Sequence, residues 1–195
     1  MAIKACQAHQ THLMKGRFLS IDPSSGSVDR KSGARSDAGW AIFDGGQLES
    51  AGVIQIDGTS KSERLQSVST TLANEFSEPF DVLVIEDIFG YIASQTLIQA
   101  CGVYIGGIAS KGVIEVNVNT WKSVATRVGG WEKSDVGDAI YLGVAAMCMA
   151  QGYNYKKMKK NDVRNDKLYE LAEANDCWGV DTIRKAHDDR STSDS

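Results

Sequence analysis

The segment Asp81–Glu86 (DVLVIE) restricts most strongly what this chain can become. Its apolar residues run almost without a break, where a strand with one wet face would alternate apolar and polar. Such a strand is covered on both faces, and sheets of that kind are built largely from parallel strands joined through helices. The run ends on an acid, Glu86, and the shorter apolar segment Arg17–Asp22 (RFLSID) ends on another. If the two are parallel neighbours, their terminal carboxylates lie side by side at one edge of the sheet.

The intervening chain supplies the rest of the sheet. Pro23–Asp37 (PSSGSVDRKSGARSD) is rich in Ser, Gly, Asp and Arg and reads as a loop. Ala38–Phe43 and Leu48–Ile56 are strands around the turn Asp44-Gly45-Gly46, a hairpin signal. Thr59 or Ser60 caps a helix reaching about Phe76, with Leu65, Val68, Leu72 and Phe76 on one face. A Gly- and Ala-rich helix follows from Ala93 to about Ser110, then a strand, Val113–Val118. Ser134 caps a long helix to about Gln151 that carries Asp135 and Asp138 in its first turn. Three strands followed by helix, strand, helix, strand and helix imply an α/β fold. The sheet is mixed and five-stranded, its first three strands antiparallel, with helices on both faces.

The expected organisation is a tail over 1–16, a domain over 17–152 and an extension over 153–195. In that extension Tyr155–Lys160 is basic, helices are expected around Asp166–Ala174 and Asp181–His187, and the end reads as disordered. The longest apolar run, Ala139–Ala150, falls short of the roughly 20 residues a membrane helix needs, and the N-terminal segment has no apolar signal-peptide core. A cytoplasmic protein is therefore expected. The four cysteines are scattered with no CxxC pair, and Cys101 and Cys148 fall in apolar helical patterns as buried thiols. Cys6, His9 and His12 lack a fourth ligand, so no structural metal is expected there. A net charge of −4 argues against an indiscriminate DNA binder but not against a nuclease, whose clustered acids are neutralised by bound cations.

Taken singly, an acid at a strand end is ordinary solvated surface. In combination, Asp22, Glu86 and the i, i+3 pair Asp135 and Asp138 project towards one point. Like charges so gathered disfavour one another's ionisation unless cations bind, and oxygen-only ligands suit Mg²⁺, with Mn²⁺ as the alternative. Two such ions in one site can activate water and stabilise the leaving oxygen of a phosphodiester.

At these positions the chain resembles the RuvC family of Holliday junction resolvases, within the RNase H-like superfamily. FLSIDPSSG is similar to the family's first-strand motif, VIEDIF to its second acidic motif and SDVGDAIYLGVAA to its final DxxDA helix. QACGVYIGGIAS resembles the helix after the second motif, and the likeness covers about Arg17 to Gln151. Phe89 stands where the family places an aromatic that contacts junction bases; Lys122 and Lys133 resemble basic residues near the scissile phosphate. Arg30, Lys31 and Arg35 in the long first loop, and Lys156 and Lys157 in the basic run, supply further charge for phosphate contact. The loop and the extension have no counterpart in a minimal member. A helix that usually separates the EKS-like motif from DxxDA is missing here. The rival register, with Asp162 and Asp166 as the last acids, is disfavoured because the helix behind them is polar.

The resemblance implies an RNase H-like fold, two Mg²⁺ ions per site and no organic cofactor. It further implies a homodimer that resolves branched DNA by paired nicks, and the small residues of the Ala93–Ser110 helix, which allow close approach, make that helix the expected interface. A compact member of this sort suits a bacteriophage genome, acting in the bacterial cytoplasm. Alternatives within the fold are a ribonuclease on RNA–DNA hybrids and a non-catalytic nucleic-acid-binding protein. A helix-turn-helix in the segment LAEANDCWGVDTIRKA is a weak further reading, and the chain is too short for a two-domain ATP-binding architecture.

Overall fold

The computed structural model describes residues 15–28, 33, 35–88, 94–128 and 133–150. Within them the chain runs β1 (Arg17–Asp22), β2 (Ala38–Asp44), β3 (Gln47–Ile54), α1 (Lys61–Glu75), β4 (Val82–Asp87), α2 (Gln95–Gly107), β5 (Val113–Asn117), α3 (Val118–Val128) and α4 (Asp135–Ala150). The sheet order is β3-β2-β1-β4-β5. β1 pairs antiparallel with β2, and β2 antiparallel with β3. β4 runs parallel to both β1 and β5. This is the mixed five-stranded α/β sheet, first three strands antiparallel and helices on both faces, that the order of elements implied.

The continuous apolar run does what it requires. Val82 and Val84 enter the core under α3 and α4, whereas Leu83 and Ile85 enter the core under α1 and α2. Both cores are closed by helices, α4 being buried on all sides from Ala139 to Cys148 and α1 on one face only. On α1, Val68 and Leu72 are buried with the capping residue Phe76, and Leu65 is packed against them. Each such side chain contributes about 1.5–3 kcal/mol on burial, against about 1 kcal/mol for a cap, so the buried face rather than the cap holds α1 on the sheet. The cap sets where it begins: Ser60 and Glu63 form a reciprocal capping box, which lowers the Glu63 carboxyl to about 2.

The β2–β3 hairpin closes through Gly45 and Gly46, both at positive φ, so the connection is a two-residue turn that side-chain-bearing residues adopt poorly. β3 stops at Ile54, two residues before the expected end. The Gly-rich helix is α2, capped by Ser94, whose Oγ accepts from Leu97 N at 3.2 Å. Its Ala100, Cys101 and Tyr104 face the sheet. The expected strand Val113–Val118 ends instead at Asn117, and the chain passes directly into α3, a helix absent from the sequence reading. Cys101 and Cys148 are buried and in no disulfide among the described residues, and burial pushes the Cys101 thiol up to about 12.

The long first loop has an ordered base. Ser24 Oγ lies 2.8 Å from both the carbonyl oxygen and Oγ of Ser36, Ser36 N donates to Ser27 O at 3.1 Å, and Val28 bridges Arg35. Arg64 Nε donates to Ser25 O and Tyr104 OH to Ser24 O, so α1 and α2 together pin the chain just after Asp22. The tail, the basic run and the expected helices after Gln151, with Cys6, His9, His12, Asp162, Asp166 and Cys177, lie outside the described residues. Among the described residues no helix is long and apolar enough to cross a membrane.

Candidate active site

Strand alternation decides where the acids point. On β1, Phe18 lies in the core beneath α3 and α4, and Ser20 Oγ donates to Ala139 O of α4 at 2.7 Å. Asp22, two residues on, shares that face. On β4, Val82 and Val84 belong to the same core, so Glu86 shares the face as well. The parallel register pairs Ile21 with Ile85, which makes Asp22 and Glu86 the next neighbours in line.

α4 enters directly above them. Ser134 caps it, accepting Gly137 N on Oγ at 3.0 Å and Asp138 N on its carbonyl at 2.8 Å. Asp135 and Asp138 occupy the first turn, where the helix dipole favours negative charge. Gly39 of β2 pairs with Asp22, and a Cβ on Gly39 would sit 1.7 Å from Asp135 O. The helix therefore begins against bare backbone beside the β1 acid.

The electrostatics register this gathering. Burial raises the Asp22 carboxyl well above the ordinary range, and the charges of Glu86, Asp138 and Asp135 raise it further; among the described residues the Lys122 ammonium opposes them. Glu86 is raised by burial too, but the indole N–H of Trp121 donates to its Oε2 at 2.7 Å and, with Lys122, pulls it back. Asp135 is raised by burial and by the charges of Asp37 and Asp138. Lys122 extends over the Trp121 ring at 4.9 Å from the centroid.

The structure thus brings Asp22, Glu86, Asp135, Asp138 and Lys122 into one neighbourhood. Lys133 is exposed beside the Ser134 cap and, among the described residues, forms no ion pair with the acids. Arg35 is exposed at the loop base, where its Nη1 donates to Ile56 O at 2.7 Å. Phe89, Arg30, Lys31, Lys156 and Lys157 lie outside the described residues. Two members of the neighbourhood were missed. Asp37, whose Oδ1 accepts from Ile56 N at 3.0 Å, closes the first loop at the same end of the sheet as Asp22, a placement readable only once Asp22 is known to pair with Gly39. Trp121 sits on the unanticipated α3.

Among the described residues no three His, Cys, Asp or Glu side chains stand close enough to hold an ion as they are. The chemistry of the donor set nevertheless fits a hard divalent cation. All four ligand candidates are carboxylates, and Asp22 stands buried against three like charges, offset among the described residues by the Lys122 ammonium.

The tie between β1 and α4 is itself testable. Ser20→Ala removes a buried hydrogen bond worth about 1 kcal/mol, so the melting temperature is expected to fall by about 2–4 °C. A thermal melt unchanged by Ser20→Ala would show that the contact with Ala139 does not hold the helix.

No family model matches the chain, and no curated protein matches it. Among solved structures it is similar to Thermus thermophilus RuvC in complex with a Holliday junction substrate, with a TM-score of 0.46 and 13% identity over 70% of this chain and 94% of that one. It is similar also to a second structure of Thermus thermophilus RuvC, with a TM-score of 0.45 and 15% identity over 70% of this chain and 95% of that one. At that identity these are likenesses of fold.

Proposed function

We propose that this chain is a metal-dependent endonuclease that nicks branched DNA, with the four-way junction as its substrate. The observation that carries the reading is the convergence of Asp22, Glu86, Asp135 and Asp138, from three separate elements, with the Asp22 carboxyl held well above its ordinary range by burial first and then by the charges of the other three. A purely structural acid of this kind would be a standing cost to the fold.

In this reading the four carboxylates hold Mg²⁺, or Mn²⁺ in its place. The bound cations supply charge neutralisation and water activation at a phosphodiester. Asp22, the most shielded carboxylate, anchors the site; Glu86 and the α4 pair complete it from either side. Lys122 stands ready to offset charge on the pentacoordinate phosphorus. The water oxygen bonds to phosphorus as the bond to the 3′ oxygen breaks, and that oxygen takes a proton, leaving 5′-phosphate and 3′-hydroxyl ends. Two symmetric cuts in one junction call for two sites. The outward face of α2, where Ile98 is exposed and Gly102 and Gly106 have nothing near their Cβ positions, is the proposed meeting surface of a homodimer.

The test uses Mg²⁺ and three labelled substrates: a four-way junction, linear duplex and an RNA–DNA hybrid. Paired nicking of the junction, lost in Glu86→Gln, is expected. Cleavage of the hybrid alone would replace this reading with a ribonuclease. Binding of the junction with no metal-dependent cleavage of any substrate would leave a non-catalytic DNA-binding protein.

A further inference from the structure

Trp121 is 1% exposed, packed in the core with Val116, Val124 and Ala125. Filling that volume does not require a tryptophan, since an aliphatic residue or phenylalanine carries no buried N–H to satisfy. Here the N–H is satisfied by a carboxylate, Glu86 Oε2, at 2.7 Å, which is short and charge-assisted. The pairing is selective. Trp40, packed against the core on the opposite face of the sheet, has a buried indole N–H with no hydrogen-bond partner among the described residues. The face of the same Trp121 ring also carries Lys122.

We propose that Trp121 is the positioning residue for the acidic site: its N–H fixes the orientation of the Glu86 carboxylate and its ring face places the Lys122 ammonium beside the cluster. This rests on the reading above, that the four acids hold a divalent cation. A half-buried carboxylate without such a donor rotates among several orientations, and a cation must then select one of them. With one oxygen held by a rigid, buried indole, that selection is made by the fold. Partners that orient a ligating group in this way typically change metal affinity by about 10–100-fold.

Trp121→Phe keeps most of the volume and the ring face under Lys122 but deletes the N–H. Titration of the full chain with Mn²⁺ by calorimetry is expected to show affinity lower by on the order of tenfold, with the cleavage rate recovering as Mn²⁺ is raised. In a Glu86→Ala background the same substitution is expected to change Mn²⁺ affinity no further, because the group it orients is gone. Equal loss in both backgrounds would mean that Trp121 acts through general packing, and would overturn the proposal. So would wild-type affinity in Trp121→Phe, with the cation-binding reading left intact. Failure of the wild-type chain to bind Mn²⁺ saturably would instead remove that reading and this one together. Should Trp121→Phe fold poorly, the unmutated chain still decides: the Trp121 indole N–H resonance is expected to shift over the Mn²⁺-binding range when Mg²⁺ is titrated at correspondingly higher concentration, and a resonance unmoved while the cation binds would sink the assignment.

Discussion

Asp22→Asn is expected to abolish cleavage and, in the same molecule, to raise the melting temperature of the cation-free protein. Activity should fall by on the order of 10³-fold or more, as for other residues whose removal dismantles a catalytic unit. The gain in stability follows from the direction of the Asp22 shift. Its folded-state carboxyl titrates above the ordinary value of 3.8, through burial first and then the charges of Glu86, Asp138 and Asp135. The folded state therefore binds this proton more tightly than the unfolded state, so stability declines as pH rises from the unfolded value through the folded one. Above both values, at neutral pH, the destabilisation is fully expressed.

Asparagine keeps the shape and removes the charge. In chelator at neutral pH, thermal melts should place Asp22→Asn above wild type by about 2–4 °C, the shift that ~1 kcal/mol produces in a domain of this size. The gap should narrow as pH is lowered through the raised titration range of Asp22, where the wild-type carboxyl becomes neutral. Glu86 and Asp135 are shifted in the same direction, so the wild-type chain should itself gain from mild acidification over that window. Mg²⁺ should stabilise wild type by mass action and Asp22→Asn far less. A variant that melts below wild type at neutral pH in chelator would contradict the account of a repelling cluster.

How much of this could be read in advance differs by element. β4 announced itself because six consecutive residues, Val82–Asp87, hold four buried apolar side chains before its two acids, a pattern with few other solutions. The hairpin and α1 were legible through their punctuation: the glycines of the turn Asp44-Gly45-Gly46 in one case, and in the other a cap at Thr59 or Ser60, which the structure places at Ser60, ahead of the apolar face of Leu65, Val68, Leu72 and Phe76. α3 had no punctuation. It leaves β5 without an intervening loop, and Val118, Thr120, Val124, Thr126 and Val128 are β-branched residues with weak helix propensity. Its stripe of Val118, Trp121, Val124 and Ala125 does carry helical spacing, but tertiary burial is what enforces the helix.

The candidate site follows the same division. Asp22, Glu86, Asp135 and Asp138 were readable because each ends or opens an element whose type was clear. Lys122 was singled out by resemblance alone, and its neighbour Trp121 was passed over because its contact with Glu86 exists only once α3 is a helix against β4. Asp37 was hidden by register. Nothing in a Ser- and Gly-rich loop marks its last acid, and only the pairing of Asp22 with Gly39 sets Asp37 near Asp135.

That pairing makes Gly39 the position where the smallest change should do the most damage. An added Cβ would lie 1.7 Å from Asp135 O, 2.3 Å from Asp135 C and 3.0 Å from Val136 N. These are backbone atoms at the start of α4, so no side-chain rotation relieves the clash. Either β2 or the helix must move by an ångström or more. α4 buries every residue from Ala139 to Cys148, so its movement disturbs a close-packed core; overpacking of this kind costs about 1–3 kcal/mol. Gly39→Ala should therefore lower the melting temperature by about 2–10 °C. It should also slow cleavage by on the order of 10²-fold, because a 1 Å displacement carries Asp135 and Asp138 away from Asp22. Gly102→Ala is the matched control, on an exposed helical position with nothing within 4 Å of the new Cβ. There alanine is favoured by about 1 kcal/mol, so the melting temperature should rise where that of Gly39→Ala falls. Gly39→Ala with wild-type melting and wild-type cleavage would mean that α4 does not rest on β2, and that the α4 acids take their position from something else.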